Sequence, residues 1–208
     1  LKHPLITKKE SETLIDPNII QLVKMNDDDA FASVFYTYQQ KVYKMAWLML
    51  RDHQRAEDVV QETFLQVYTK INKLSNNMAF EKWLYKITVN HCYEIIRKHK
   101  KADLLLLDET IENFTTNSSV PHRELIQKEV RKKIITAIYD LPLKHRTVLI
   151  LFYFNDLSIK EIAAIISKSE GTVKSRLFYG KKIIKNSLGE NFNMDVDDIM
   201  GGIVYENR

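Results

Sequence analysis

The sequence predicts an all-α protein built as two small helical domains joined by a flexible linker. Three observations carry this. Apolar residues recur at spacings of three and four along most of the chain, and β-type alternation is nowhere sustained. Gly and Pro are scarce, five and four in 208 residues, too few for a turn-rich β-sandwich, a collagen-like chain or a low-complexity one. A polar, acidic stretch containing TTNSS (Thr115–Ser119) and Pro121 interrupts the helical pattern, as a linker does. The length suits one domain or two small ones. The predicted units are 19–101 and 127–188, joined by 102–126, with tails at 1–18 and 189–208.

The elements follow in order. Phe31, Val34, Phe35, Tyr38, Val42, Met45, Ala46 and Met49 form one helical face. Ala56, Val59, Val60, Thr63, Phe64, Val67, Tyr68 and Ile71 form a second stripe, and Trp83, Leu84, Ile87, His91 and Ile95 a third. Val130, Ile134, Ala137, Ile138 and Leu141 open the second unit. Ser158-Ile159-Lys160-Glu161 is a capping box, and Ile162, Ala163 and Ile166 are the inward positions of the short helix behind it. Ser167-Lys168-Ser169 breaks that helix, and Ser169 can cap the next, in which Val173 and Leu177 face inward.

Charge is segregated along this frame. The first unit ends in a basic run with Arg97, Lys98, Lys100 and Lys101, whereas 102–124 sets five acidic residues against Arg123. Residues 141–188 hold nine Lys and Arg against three acidic residues, and five of the nine lie between Lys174 and Lys185. The tail from Gly189 is acidic again. Such segregation suits a polyanionic partner, although a solvated charged face would show the same pattern. No apolar run approaches the roughly 18–20 residues of a membrane span. Leu1–Glu10 is polar, which predicts no signal peptide. Cys92 is the only cysteine, so neither an internal disulfide nor a cysteine zinc site can form, and a cytoplasmic location is expected.

The stretch Leu157–Lys182 has the layout of a DNA-reading helix-turn-helix. The second helix of that motif enters the major groove, its N-terminal half against base edges. Lys donates to guanine acceptors and Ser or Thr serves several bases, while basic residues further along meet phosphates. A plain helical hairpin with a polar outer face is the alternative.

Leu141-Pro142, His145-Arg146-Thr147-Val148-Leu149, Leu157-Ser158, Lys160-Glu161-Ile162-Ala163 and Glu170-Gly171-Thr172-Val173-Lys174-Ser175-Arg176-Leu177 together resemble region 4 of bacterial sigma factors. Ala56-Glu57-Asp58-Val59-Val60-Gln61-Glu62-Thr63-Phe64 resembles the region 2 signature, followed by Phe80, Trp83-Leu84-Tyr85-Lys86-Ile87 and Asn90, which resemble the promoter-melting segment. The resemblance spans roughly 26–186, and the short linker points to the extracytoplasmic-function (ECF) group. It implies that Asp58, Gln61 and Glu62, which share a helical face, dock on the β′ clamp helices of core RNA polymerase, and that the second unit meets the β flap. It further implies capture of an unstacked −10 base by Leu74, Asn76, Asn77, Phe80 and Asn90. Leu74 stands where an aromatic is common and Asn76 where Gly is common. The −35 readers it implies are Lys174, Ser175, Phe178 and Tyr179, with Thr172, Arg176 and Lys182 beside them; Tyr179 replaces a frequent basic residue. Trp83 is read as core ahead of base platform.

The resemblance also implies promoter DNA and an anti-sigma factor as partners, the latter often membrane-bound, and no small-molecule substrate. No Gly-rich phosphate loop or nucleophile–base pair is present, so binding is expected in place of catalysis, with no cofactor or metal. His91 and Cys92 are adjacent and point apart on a helix. Two further functions fit parts of the sequence. One is a stand-alone helix-turn-helix regulator, which has no use for the 56–64 signature. The other is a helical adaptor for an acidic partner.

Overall fold

Side-chain caps set where the helices begin. The computed structural model describes residues 15–102 and 133–188. Asp16 caps α1 (Pro17–Lys24), accepting from the Asn18 N–H at 2.8 Å, with Pro17 in the first turn, where a missing N–H costs nothing. Asp27 caps α2 (Asp28–Leu50) and Asp52 caps α3 (His53–Lys70), accepting from the N–H groups of Ala30 and Arg55 at 2.8 and 2.9 Å. Two 3₁₀ turns, Ile71–Lys73 and Asn77–Ala79, lead into α4 (Phe80–Ala102). Residues 133–140 form α5. Helix α6 (Leu143–Leu149) passes into a π-helical turn, Ile150–Phe154; α7 (Ile159–Ile165) and α8 (Glu170–Leu188) follow. No strand occurs among the described residues. Nearly all of the expected linker, most of the expected N-terminal tail, the C-terminal tail and Val130 lie outside them.

Two cores are built on the same two long helices. In the first, Ile20 and Val23 of α1 meet Val34, Tyr38 and Val42 of α2, Phe64 and Val67 of α3, and Phe80, Leu84 and Ile87 of α4. In the second, Met45, Leu48 and Met49 of α2 and Tyr85, Val89 and Cys92 of α4 are continuous with Ile134, Ile138, Leu151, Ile162 and Val173 from the C-terminal helices. Helix α2 packs on α6 and the π-helical turn, and α4 packs on α7. The second unit therefore lies against the first, which the sequence pattern alone does not reveal. Polar contacts line the same joint: the Tyr93 hydroxyl donates to Thr147 Oγ1 at 3.1 Å, and Lys82 pairs with Glu161 at 2.9 Å. Burial pushes the Cys92 thiol up, which keeps it protonated and unreactive.

Arg51 ends α2 in the left-handed region at φ 63°. A non-glycine residue pays roughly 1 kcal/mol for that conformation. Its guanidinium then lies over the Tyr139 ring at 4.3 Å and 3.5 Å from Asp140, so the turn that reverses the chain also ties α2 to α5. Ser167, at φ 54°, makes the corresponding turn between α7 and α8. One inward assignment needs correction: Tyr68 is 50% exposed, its ring edge packed on Phe31 at 5.2 Å.

Helix α8 crosses α6 closely at Gly180, where an added Cβ would meet Leu149 Cδ1 at 2.8 Å and His145 Cβ at 3.5 Å. Leu149 is fully buried and has little room to move. Overpacking costs about 1–3 kcal/mol, of which better helix propensity returns up to about 1. Gly180→Ala is thus expected to lower stability by about 1 kcal/mol, read as a reduced urea midpoint; an unchanged or higher midpoint would refute the close crossing.

Candidate nucleic-acid and polymerase interfaces

The helix-turn-helix is assembled as its caps predict. Ser158 Oγ accepts from the Glu161 N–H at 3.3 Å, and Glu161 Oε2 takes bonds from the Ser158 N–H at 2.8 Å and its hydroxyl at 2.7 Å. Ser169 Oγ accepts from the Thr172 N–H at 3.2 Å and caps α8. Val173 and Leu177 are buried under α7, where Ala163 is also buried. The outer face then follows from helical geometry. Lys174, Ser175 and Lys182 are exposed, and Phe178 and Tyr179 are 61% and 52% exposed. Thr172 and Arg176 are half-buried. Thr172, Ser175, Arg176 and Tyr179 line an open groove against Lys144 and His145 at the start of α6. The buried His145 ring donates through Nδ1 to the Arg176 carbonyl at 3.0 Å, which holds α8 to α6. Sequence reasoning used His145 only as a motif letter.

Asp58, Gln61 and Glu62 project together from α3, all exposed. Among the described residues neither carboxylate forms an ion pair; Arg55 pairs instead with Asp52 at 3.2 Å. Neighbouring charges on this helix therefore do not account for the acid–amide face. The same face continues through Leu65 and Tyr68, 58% and 50% exposed. Spacings of three and four from Asp58 would have found Leu65, and Tyr68 was hidden among the inward residues.

The five residues assigned to base capture do not act alike. The side chains of Leu74 and Phe80 are buried in the first core, Phe80 edge-on to Tyr38 at 5.6 Å. Asn77 is half-buried and makes three hydrogen bonds to α1: Oδ1 accepts from Lys24 Nζ at 2.6 Å, and Nδ2 donates to the Pro17 carbonyl at 3.1 Å and to Gln21 Oε1 at 3.2 Å. Reading a base edge through Nδ2 would cost it these two donor bonds, whereas Oδ1 keeps a second lone pair. Asn76 is exposed and its Oδ1 accepts from the Met78 N–H at 3.0 Å. Asn90 is exposed ten residues after Phe80, about 15 Å along α4. Trp83 is half-buried and packs against the first core, in keeping with its reading as core. Arg97 and Lys98 are exposed on α4. His91 faces away from Cys92 and bonds Gln66 Oε1 at 3.0 Å. Among the described residues no helix is long and apolar enough to cross a membrane.

Glu161 also answers the first unit. Burial acts to raise its pKa, but Lys82 and the two Ser158 bonds outweigh this and hold the carboxyl below its usual range. A depressed folded-state value means stabilisation that is complete above the unfolded pKa of about 4.3 and fades as pH falls through the folded one. Allowing for solvent screening, cap and bridge together contribute about 1 kcal/mol. Glu161→Gln keeps a side-chain oxygen for the cap and should cost only the charge-dependent part, about 0.5 kcal/mol near neutral pH, with the gap to the parent closing towards about pH 3. Urea midpoints across this range test it; a gap independent of pH would count against the charge.

Residues 34–102 match the family described as Sigma-70 region 2, and residues 131–184 match Sigma-70, region 4. The chain is 36% identical over 177 residues to the ECF RNA polymerase sigma factor SigW of Bacillus subtilis, covering 81% of this chain and 94% of the relative. It is 30% identical over 187 residues to the ECF RNA polymerase sigma-E factor of Haemophilus influenzae, covering 86% and 97%. Among solved structures, the sigma factor RpoE of Bartonella quintana, in complex with the anti-sigma factor NepR, matches with a TM-score of 0.62 at 20% identity, over 79% of this chain and 98% of that one. CnrH, in complex with the cytosolic domain of CnrY, matches with a TM-score of 0.62 at 17% identity, over 83% and 96%. These two likenesses bear on the fold.

Proposed function

The chain belongs to the ECF sigma factors, and from that premise we propose that it binds core RNA polymerase through the α3 face and directs initiation at promoters read by α8 and by the 74–79 loop. The observation that carries this reading is that one chain exposes two unlike surfaces: an acid–amide face with no ion pair among the described residues, and a basic helix-turn-helix. A stand-alone regulator needs only the second, and the family membership sets that alternative aside.

The roles follow from chemistry. Asp58, Gln61 and Glu62 offer carboxylates and an amide to a basic clamp surface, with Leu65 and Tyr68 supplying apolar area beside them. Lys174 and Ser175 meet base edges in the major groove, and Lys182, two turns on, neutralises a phosphate. Arg97 and Lys98 extend the positive surface along α4. The protein itself performs no bond chemistry; it lends specificity to the polymerase. An anti-sigma factor is the remaining partner, a reading supported by the two solved neighbours, each bound to a protein of that kind or to a cytosolic domain.

Two measurements test this. Core polymerase should be retained by the immobilised chain, and Asp58→Ala with Gln61→Ala should weaken that binding about tenfold or more without changing the melting temperature. Failure of the parent chain to bind core would end the proposal. With holoenzyme on promoters defined by mapped transcript starts, Lys174→Ala should relax −35 preference. Lys182→Ala should instead weaken all sequences alike and reduce the salt slope by about one.

A further inference from the structure

Two neighbouring asparagines in the 74–79 loop share one chemistry and are used oppositely. Both ends of the Asn77 amide are consumed by α1, through Lys24, Gln21 and the Pro17 carbonyl. Lys24 Nζ also donates to the Leu74 carbonyl at 2.5 Å, so one ammonium grips the loop at two points. Helix α1 can bear this load because Ile20 and Val23 root it in the first core. The loop's ends are rooted there too, by Leu74 and Phe80. What remains outside is Ser75; Asn76, whose Nδ2 has no partner among the described residues; and Met78, 79% exposed and the one large apolar side chain among them. Among the described residues Lys24 has no carboxylate partner, so its ammonium is held by these two loop acceptors alone.

We propose that Lys24 is a positioning residue for −10 recognition: through Asn77 and the Leu74 carbonyl it holds the loop so that the Asn76 amide and the Met78 thioether face the unstacked base. This rests on the function proposed above. An amide with a spare donor reads a base edge, and a flexible, polarisable thioether packs on a base face. Holding the loop beforehand removes the ordering cost from the moment of capture. Helix α1 thereby becomes part of the specificity machinery, although it lies ahead of the matched region 2 segment.

The test uses the full chain, alone and as holoenzyme with core polymerase. In Lys24→Met the Met78 and Ala79 amides should exchange hydrogen faster, while α2–α4 amides and core affinity stay at parental values. Initiation from duplex promoters should fall roughly tenfold, and preference among the four bases at the captured position should flatten. Asn77→Ala should do the same, and the double variant should be no worse than either single one. Met78→Ala should lower initiation with parental exchange in the loop. Unchanged loop exchange in Lys24→Met overturns the proposal, as does faster exchange with base preference intact. A parental holoenzyme that initiates nowhere overturns the underlying function instead, and shows itself in the parent before any variant is made.

Discussion

Helices α2 and α4 each bury apolar residues towards two separate sets of partners, and the rest of the structure depends on that. Val34, Tyr38 and Val42 at one end of α2 are covered by α1 and α3; Met45, Leu48 and Met49 at the other adjoin the C-terminal helices. Helix α4 divides in the same way, with Leu84 and Ile87 in the first core and Tyr85, Val89 and Cys92 in the second. Fully burying side chains of this size is worth roughly 1.5–3 kcal/mol each. Leaving the second face in water would forfeit several such terms, so the C-terminal unit settles on it. Tyr93, Lys82 and Arg51 add direction to a contact that apolar burial makes favourable.

That arrangement partitions the surface. Apolar residues are spent on the joint, and the side chains suited to partners lie elsewhere: Asp58, Gln61 and Glu62 on α3, Lys174, Ser175 and Lys182 on α8, Asn76 and Met78 at the loop tip. Each group stands on a regular element or is pinned to one. Helix α8 is held by His145 and by the close approach of Gly180 to Leu149; the 74–79 loop is held by Lys24. Side chains that must meet a partner at hydrogen-bond distance need such backing, because a loosely held group loses affinity to its own ordering.

Much of this was legible in the sequence, for definable reasons. The stripes Phe31–Met49 and Ala56–Ile71 repeat at the helical period, so their helices were readable without tertiary information. Ser158 with Glu161, and Ser169, announced the helix-turn-helix through local capping chemistry. Legibility failed where the deciding partner was distant in the chain. Asn77 appeared as free a reader as Asn76, because its partners lie more than fifty residues earlier, in α1. Tyr68 fitted the inward period but sits at the edge of the stripe, where Phe31 covers only part of the ring. The joint between the units escaped notice because periodicity marks a helix face as apolar without saying what covers it.

Glu161 divides its two oxygens between two loyalties. Oε2 is spent on Ser158 within its own helix, and Oε1 on Lys82 across the joint. Should the halves part, only the second contact is surrendered, and the first still secures the beginning of α7. The starting turn of α7 is therefore secured locally, while the apolar core does the holding across the joint.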